Sequence, residues 1–296
     1  MQFLSNALSN AISRERAQHR LHNPTIRALF VVGFAVNAGA LRVGAGETVL
    51  VGREVATAER LAMQEIDHSR WEQLLAKHVD RNGMVNYRAW KADAAAVSGL
   101  DNYLNHLSRA TWDVKTPAAT QIAFWINAYN AVTVRGILRE YPTSSIRNHT
   151  ARLLGYNIWK DLKLRVAGRQ FSLDDMEHKI LRKMGEPRIH FAIVCASIGC
   201  PKLQAWAFTP DKLDSQLTTA AQEFFQDKSK VQFDLSTSEV RLSQILSWFG
   251  TDFGKDQKAQ LRYIALYAPA GTRELLASGR ARVSFLEYDW GLNEQK

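Results

Sequence analysis

Residues 188–203, RIHFAIVCASIGCPKL, hold both cysteines of the chain, Cys195 and Cys200, and a histidine, His190, just ahead of them. Such a pair fits four chemistries: core packing, a disulfide, half of a metal site, or a reactive thiol with a basic partner. A disulfide requires the chain to reverse within Ala196–Gly199, because sulfurs bond only when their Cα atoms come close. A zinc site requires four ligands. The C-x4-C spacing with Glu177, His178 and His190 lacks the usual C-x2-C pattern, so no metal or cofactor is assigned.

The reactive-thiol reading separates the two cysteines. Residues 188–195 are apolar and β-rich between Pro187 and the turn residues Gly199 and Pro201, which predicts a strand. Alternation places Cys195 with Ile189, Phe191 and Ile193, a packing face. Cys200 follows the small residues Ala196, Ser197 and Gly199 and precedes Pro201, which suits a first helical position. A thiol at a helix N-terminus has its thiolate stabilised. Cys200 is thus the expected nucleophile, presented by a turn that contains Ser197, with Gly199–Lys202 N–H groups available to an oxyanion. No histidine follows His190, so a base must come from His190 or His178, with Glu177, Asp289 or a helix asparagine as orienter.

The strongest positioning element is the segment TPAATQIAFWINAYNAVTVRGILREYP. Thr116-Pro117 reads as its cap and first turn, and Pro142 as its stop. It is apolar almost all round from Ile122 to Val134, as a core helix is. Asn127 and Asn130 interrupt it on one face, and buried amides must find partners. They either tie the helix to neighbouring backbone or line a site. Residues 156–173 predict a hairpin turning near Ala167-Gly168, followed by a helix that Ser172 and Asp175 cap and that carries Glu177 and His178. A helix from Thr209-Pro210, a hairpin over 230–243, further helical segments and a closing strand from Ala281 complete the pattern. This predicts one α+β domain from residue 66 to 296, its helices packed on a mainly antiparallel sheet.

The 296 residues are 46% hydrophobic and 23% charged, which excludes wholesale disorder. A net charge of +9 is dispersed among acids without like-charge runs, so no nucleic-acid partner is expected. Residues 1–65 read as a basic leader and linker. ALFVVGFAV followed by Ala38 and Ala40 has the form of a signal peptide cut near 40, which places the protein in the periplasm or outside the cell, with a cytoplasmic tail as the alternative. The apolar run is too short to span a membrane.

AFWINAYNA, FSLDDMEHKILR, IHFAIVCASIGCPKL and FLEYDWGLN resemble, in that order, the hallmarks of the domain of unknown function family 547. By position the resemblance points to Asn127, Tyr129 and Asn130, to Glu177 and His178, and to His190, Cys195, Ser197, Cys200 and Pro201. It also points to Tyr288, Asp289 and Trp290. The helix from Phe124-Trp125 also resembles the core helix of transglutaminase-like and papain-like folds, where the catalytic cysteine starts that helix; here none does. Three functions follow as expectations. The first is a cysteine hydrolase or acyl transferase acting on amides or thioesters. The second is a non-catalytic binding module for a small molecule, peptide or protein. The third is a metal-dependent hydrolase using His178 and His190.

Overall fold

A 23-residue helix, α4 (Ala118–Glu140), runs through the core of the computed structural model, which describes residues 48–113, 115–151 and 156–296. Every residue from Ile122 to Val134 on it is buried, as its unbroken apolar run requires. Pro117, rather than Thr116, occupies the cap, and Tyr141-Pro142 ends the helix. Around it lie α1 (Ser69–His78), α2 (Tyr87–Ala92) and α3 (Ala94–Leu107), which bury Trp71, Trp90, Leu100, Tyr103 and Leu104.

The other side of α4 meets a three-stranded sheet. In it β4 (Leu162–Val166) pairs antiparallel with β5 (Arg169–Ser172), Leu164 facing Phe171, and parallel with β1 (Val49–Val51). The hairpin turns at Ala167 (φ 51°) and Gly168 (φ 79°), two positive φ values that a two-residue turn of the right twist demands. A cap of Ser172 and Asp175 follows: the Ser172 N–H donates to the Asp175 carboxylate at 3.0 Å, and the Asp175 N–H to the Ser172 hydroxyl at 3.1 Å. The helix it starts is wound as a π-turn over Asp175–Ile180.

Two further small sheets complete the strands. β2 (Leu61–Ala62) pairs in parallel with β3 (Ala110–Thr111). β6 (Val231–Asp234) and β7 (Glu239–Leu242) form the second predicted hairpin, and β8 (Arg282–Phe285) joins β7 in parallel. A short α5 (Ile158–Asp161) precedes β4. Then come α6 (Leu213–Gln226), α7 (Gln244–Trp248), α8 (Gly250–Phe253), α9 (Gln257–Ala265) and α10 (Arg273–Ser278). The α+β class is as expected, with the strands of the described residues split among three sheets that mix parallel and antiparallel pairs.

Three local readings change. Residues 49–62, read as linker, supply β1 and β2, and Met63 beside them is fully buried. The strand expected over 188–195 is absent. Pro187–Phe191 is a 3₁₀ turn, and residues 192–208 are irregular. Among the described residues no strand pairs with residues 188–195, so their apolar composition buries side chains without building a ladder. Pro201 starts no helix; the next one, α6, begins at Leu213. The signal peptide expected to end near residue 40 lies outside the described residues, as does the start of the expected linker up to residue 47. Among those described, no helix is long and apolar enough to cross a membrane.

Candidate functional site

The irregular segment is held at both ends by the two asparagines of α4. The Asn130 amide donates to the Ala192 carbonyl and its oxygen accepts from the Val194 N–H, both at 2.9 Å. Asn127 does the same one turn away, donating to the Phe208 carbonyl at 2.8 Å and accepting from the Phe208 N–H at 2.9 Å. Each buried amide therefore replaces a missing strand partner. Of the two roles expected for them, the structure shows the backbone tie.

Between these clamps the chain turns sharply. Ala196 adopts φ 61°, a left-handed conformation that costs a non-glycine residue energy, and the Cys200 N–H closes a tight turn on the Ser197 carbonyl at 3.0 Å. The C-terminal segment runs alongside. Ile198 N–H donates to the Gly291 carbonyl and Gly199 N–H to the Asp289 carbonyl, each at 2.7 Å. A Cβ on Gly199 would lie 2.8 Å from the Tyr288 ring, so only glycine lets that ring reach the cysteines.

The two thiols come together there. The Cys195 N–H donates to Cys200 Sγ at 3.0 Å, and the Tyr288 hydroxyl lies 3.2 Å from Cys200 Sγ and 3.5 Å from Cys195 Sγ. The Ser197 hydroxyl lies 3.4 Å from Cys195 Sγ. Both cysteines are free, Cys195 half-buried and Cys200 only 5% exposed. The hydrogen bond from the Cys200 thiol, helped by Ser197 and Tyr288, outweighs burial and brings Cys195 down to about 6. Burial and the neighbouring Cys195 charge push Cys200 well above the usual thiol range. Of the pair, Cys195 is the more acidic thiol, and Cys200, the more buried, holds its proton more tightly.

Glu177 faces this pair from the π-turn. The residue is 8% exposed, and its carboxyl accepts from the Tyr129 hydroxyl at 3.4 Å. Burial, reinforced by the Cys195 charge, pushes it up to about 8, so it is protonated at neutral pH. Tyr129 is itself buried among Glu177 and both thiols, and its hydroxyl stays protonated. π-turns frequently mark functional sites.

The histidines lie elsewhere. His190 bonds through Nε2 to Asp252 Oδ2 at 2.8 Å and stacks on Phe249 with ring centroids 4.2 Å apart. Arg182 grips the same carboxylate at 2.6 and 2.7 Å and meets His178 Nδ1 at 3.2 Å. Burial lowers both histidines, so each is neutral at pH 7. Neither histidine hydrogen-bonds a thiol, so the expected Cys200–His190 and Cys200–His178 dyads are not formed; His190 is tied to Asp252 instead. Nor do the two histidines converge with a third ligand. Among the described residues no three of His, Cys, Asp and Glu are grouped to hold a metal.

Asp289 is not an orienter either. Its carboxylate accepts from the Gly291 N–H at 2.8 Å and shapes the turn that delivers Tyr288. The Gly199 and Cys200 N–H groups, expected to serve an oxyanion, are taken by Asp289 and Ser197 carbonyls. Trp290 packs at a tilt against Tyr288 and stacks on Trp248, its centroid 4.5 and 5.7 Å from theirs, with the Arg147 guanidinium 5.2 Å over it. On the other side of the turn a cleft of about 510 Å³ is lined by Ser197, Cys200, Lys202, Glu223, Lys230 and Asn293 among others. Lys230, 7% exposed, donates to the Ile198 carbonyl from beneath.

Sequence reasoning had not singled out Asp252, Lys230 or Trp248. Asp252 carries a faint signal, an acid inside the aromatic run WFGTDF. Lys230 opens a strand and looks like any surface lysine, so its burial depends on contacts far away in sequence.

Residues 114–225 match the model of a family described as "Protein of unknown function, DUF547". The matched stretch contains α4, the π-turn and the cysteine segment, three of the four motifs that carry the resemblance, and stops short of Tyr288–Trp290. No curated protein and no solved structure matches the chain.

Proposed function

We propose that this domain is a thiol-dependent hydrolase or acyl transferase acting on amide or thioester bonds, with Cys195 as its nucleophile. The observation that carries the reading is the half-buried Cys195, whose sulfur lies 3.4 Å from the Ser197 hydroxyl and 3.5 Å from the Tyr288 hydroxyl and whose thiol is lowered to about 6. The thiolate attacks a carbonyl carbon, and the Tyr288 and Ser197 hydroxyls are the donors nearest the oxygen on which charge develops. Glu177, protonated because it is buried, gives its proton to the leaving amine or thiol. As a carboxylate it then takes one from the water or acceptor that releases the acyl group. The proposed setting is the cell envelope or exterior, supported by the signal-like pattern around Ala38 and Ala40.

The test is a burst assay with an activated acetyl ester. We expect one equivalent of leaving group in a fast phase and an intact-mass gain of about 42 Da on Cys195, the acetyl adduct of a covalent intermediate. Cys195→Ser should lose both, and Glu177→Gln should keep the burst but slow the following turnover at least tenfold, within the range of acid–base contributions. Acylation of Cys200 with Cys195 unmodified, or no adduct at all, would sink the reading.

A further inference from the structure

We propose that Cys195 and Cys200 are also a reversible oxidation site, at which a hydroperoxide converts the paired thiols to a disulfide and so withdraws the nucleophile. This rests on the same accessible Cys195 thiolate as the acyl-transfer reading, but needs no acyl chemistry. Three features of the geometry carry it. The turn over Ser197–Cys200 reverses the chain and folds Cys200 Sγ back onto the Cys195 backbone, 3.0 Å from its N–H. A single hydroxyl, that of Tyr288, reaches both sulfurs at 3.2 and 3.5 Å, which places the two side chains side by side. Their exposure is unequal. Cys195 is half-buried, while Cys200 is only 5% exposed. An accessible thiolate poised beside a protected second thiol is the arrangement of redox-sensing cysteines.

The chemistry balances without further partners. The Cys195 thiolate attacks one oxygen of a hydroperoxide, the O–O bond breaks, and the departing alkoxide or hydroxide takes a proton from solvent. Cys195 is left as a sulfenic acid. The Cys200 sulfur then displaces the sulfenic hydroxyl, which leaves as water with the Cys200 proton, and the S–S bond forms. Two thiols are oxidised by two electrons and one peroxide is reduced to an alcohol or water, and water. A dithiol reductant reverses the change by thiol–disulfide exchange.

The experiment treats the full reduced chain with hydrogen peroxide at neutral pH and follows intact mass and iodoacetamide labelling. Before peroxide, labelling of Cys195 across pH checks the thiolate. If Cys195 titrates like an ordinary thiol, this proposal and the acyl-transfer reading fall together, whereas a missing acyl burst with a reactive Cys195 removes only the latter. After peroxide we expect a mass loss of about 2 Da and loss of both labels, restored by dithiothreitol. In Cys200→Ser we expect a gain of about 16 Da trapped by dimedone at Cys195 instead. Oxidation of wild-type Cys195 by three oxygens with Cys200 still able to be labelled after unfolding would overturn the proposal. Disulfide-linked dimers in place of the internal bond would do the same.

Discussion

A thiolate stripped of water survives only where donors replace the lost hydration. At Cys195 those donors are the Cys200 thiol and the Ser197 and Tyr288 hydroxyls, and the sulfur titrates near 6. The rate of iodoacetamide alkylation at Cys195 should therefore rise with a midpoint near pH 6. Tyr288→Phe removes one donor and should move that midpoint up by roughly one unit, about 1.4 kcal/mol of lost thiolate stabilisation. An unmoved midpoint would mean that Tyr288 packs against the pair without holding its charge. Glu177 gives a second prediction through its coupling to stability. Its carboxyl is raised to about 8, so between pH 5 and 8 the native state keeps a proton that the unfolded chain releases. The unfolded state then binds fewer protons, and unfolding free energy falls as pH rises, by at most about 1.4 kcal/mol per unit for one group. Cys195, depressed in the native state, contributes with the opposite sign from its own folded value of about 6 upward. The difference between wild type and Glu177→Gln separates the two. In urea titrations the advantage of wild type over the variant should shrink steadily from pH 5 to pH 8. A constant difference would show that Glu177 is ionised in the folded protein.

At the scale of elements, α4 works as a bracket whose two amides fasten both ends of the 192–208 segment. Asn130→Ala leaves the Ala192 carbonyl and the Val194 N–H without partners in the interior, and unpaired buried groups cost about 1–3 kcal/mol each. The variant should lose roughly 2–4 kcal/mol in chemical denaturation. Its Cys200, freed from the turn, should be alkylated under native conditions where wild type resists. Loss of stability with Cys200 still protected would separate the clamp from the thiol geometry. The same contacts explain what the sequence could convey. Both hairpins and the core helix were legible because their signals are local: turn residues, period, and an apolar run with a stop. The amides at 127 and 130 were conspicuous because their burial demanded partners. The segment before Cys195 was misread because its β-rich composition says nothing of whether a neighbouring strand exists, and here a side chain takes that place. Once it is not a strand, alternation no longer places Cys195 in a packing face. Without a helix at Pro201, the reason for favouring Cys200 disappears as well. Residues 49–62 escaped because two strands of two or three residues have too little periodicity to register.

Across the whole molecule, the last residues close the structure on regions distant in sequence. Val85 N–H donates to the Asn293 carbonyl at 2.8 Å, Gln295 N–H to the Val85 carbonyl at 3.0 Å, and Tyr87 hydroxyl to Asn293 Oδ1 at 2.9 Å. The same segment gives Leu292 N–H to the Ser144 carbonyl and Asn293 N–H to the Ala196 carbonyl, which lies inside the cysteine turn. It thus joins the α1–α2 connection, the exit of α4 and the thiol pair, and it sets the position of Tyr288 through Gly199 and Ile198. Such long-range closure carries a large entropy cost before its contacts form, so it stabilises the site only as a unit. Deleting residues 292–296 removes these bonds together and should cost several kcal/mol, since each buried pair lost contributes about 0.5–1.5 kcal/mol. The deletion should also relax the site before the domain unfolds. The Cys195 midpoint should move toward the ordinary thiol range as Tyr288 drifts, and Cys200 should become accessible to iodoacetamide at temperatures where circular dichroism still reports native helix. Asn293→Ala, which spares the backbone bonds and removes only the side-chain ties to Tyr87 and Gly83, should lower stability by less and leave the Cys195 midpoint in place. If the deletion variant melts in one step with its thiols protected until then, the C-terminal segment belongs to the same cooperative unit as the core rather than acting as the clasp of the site.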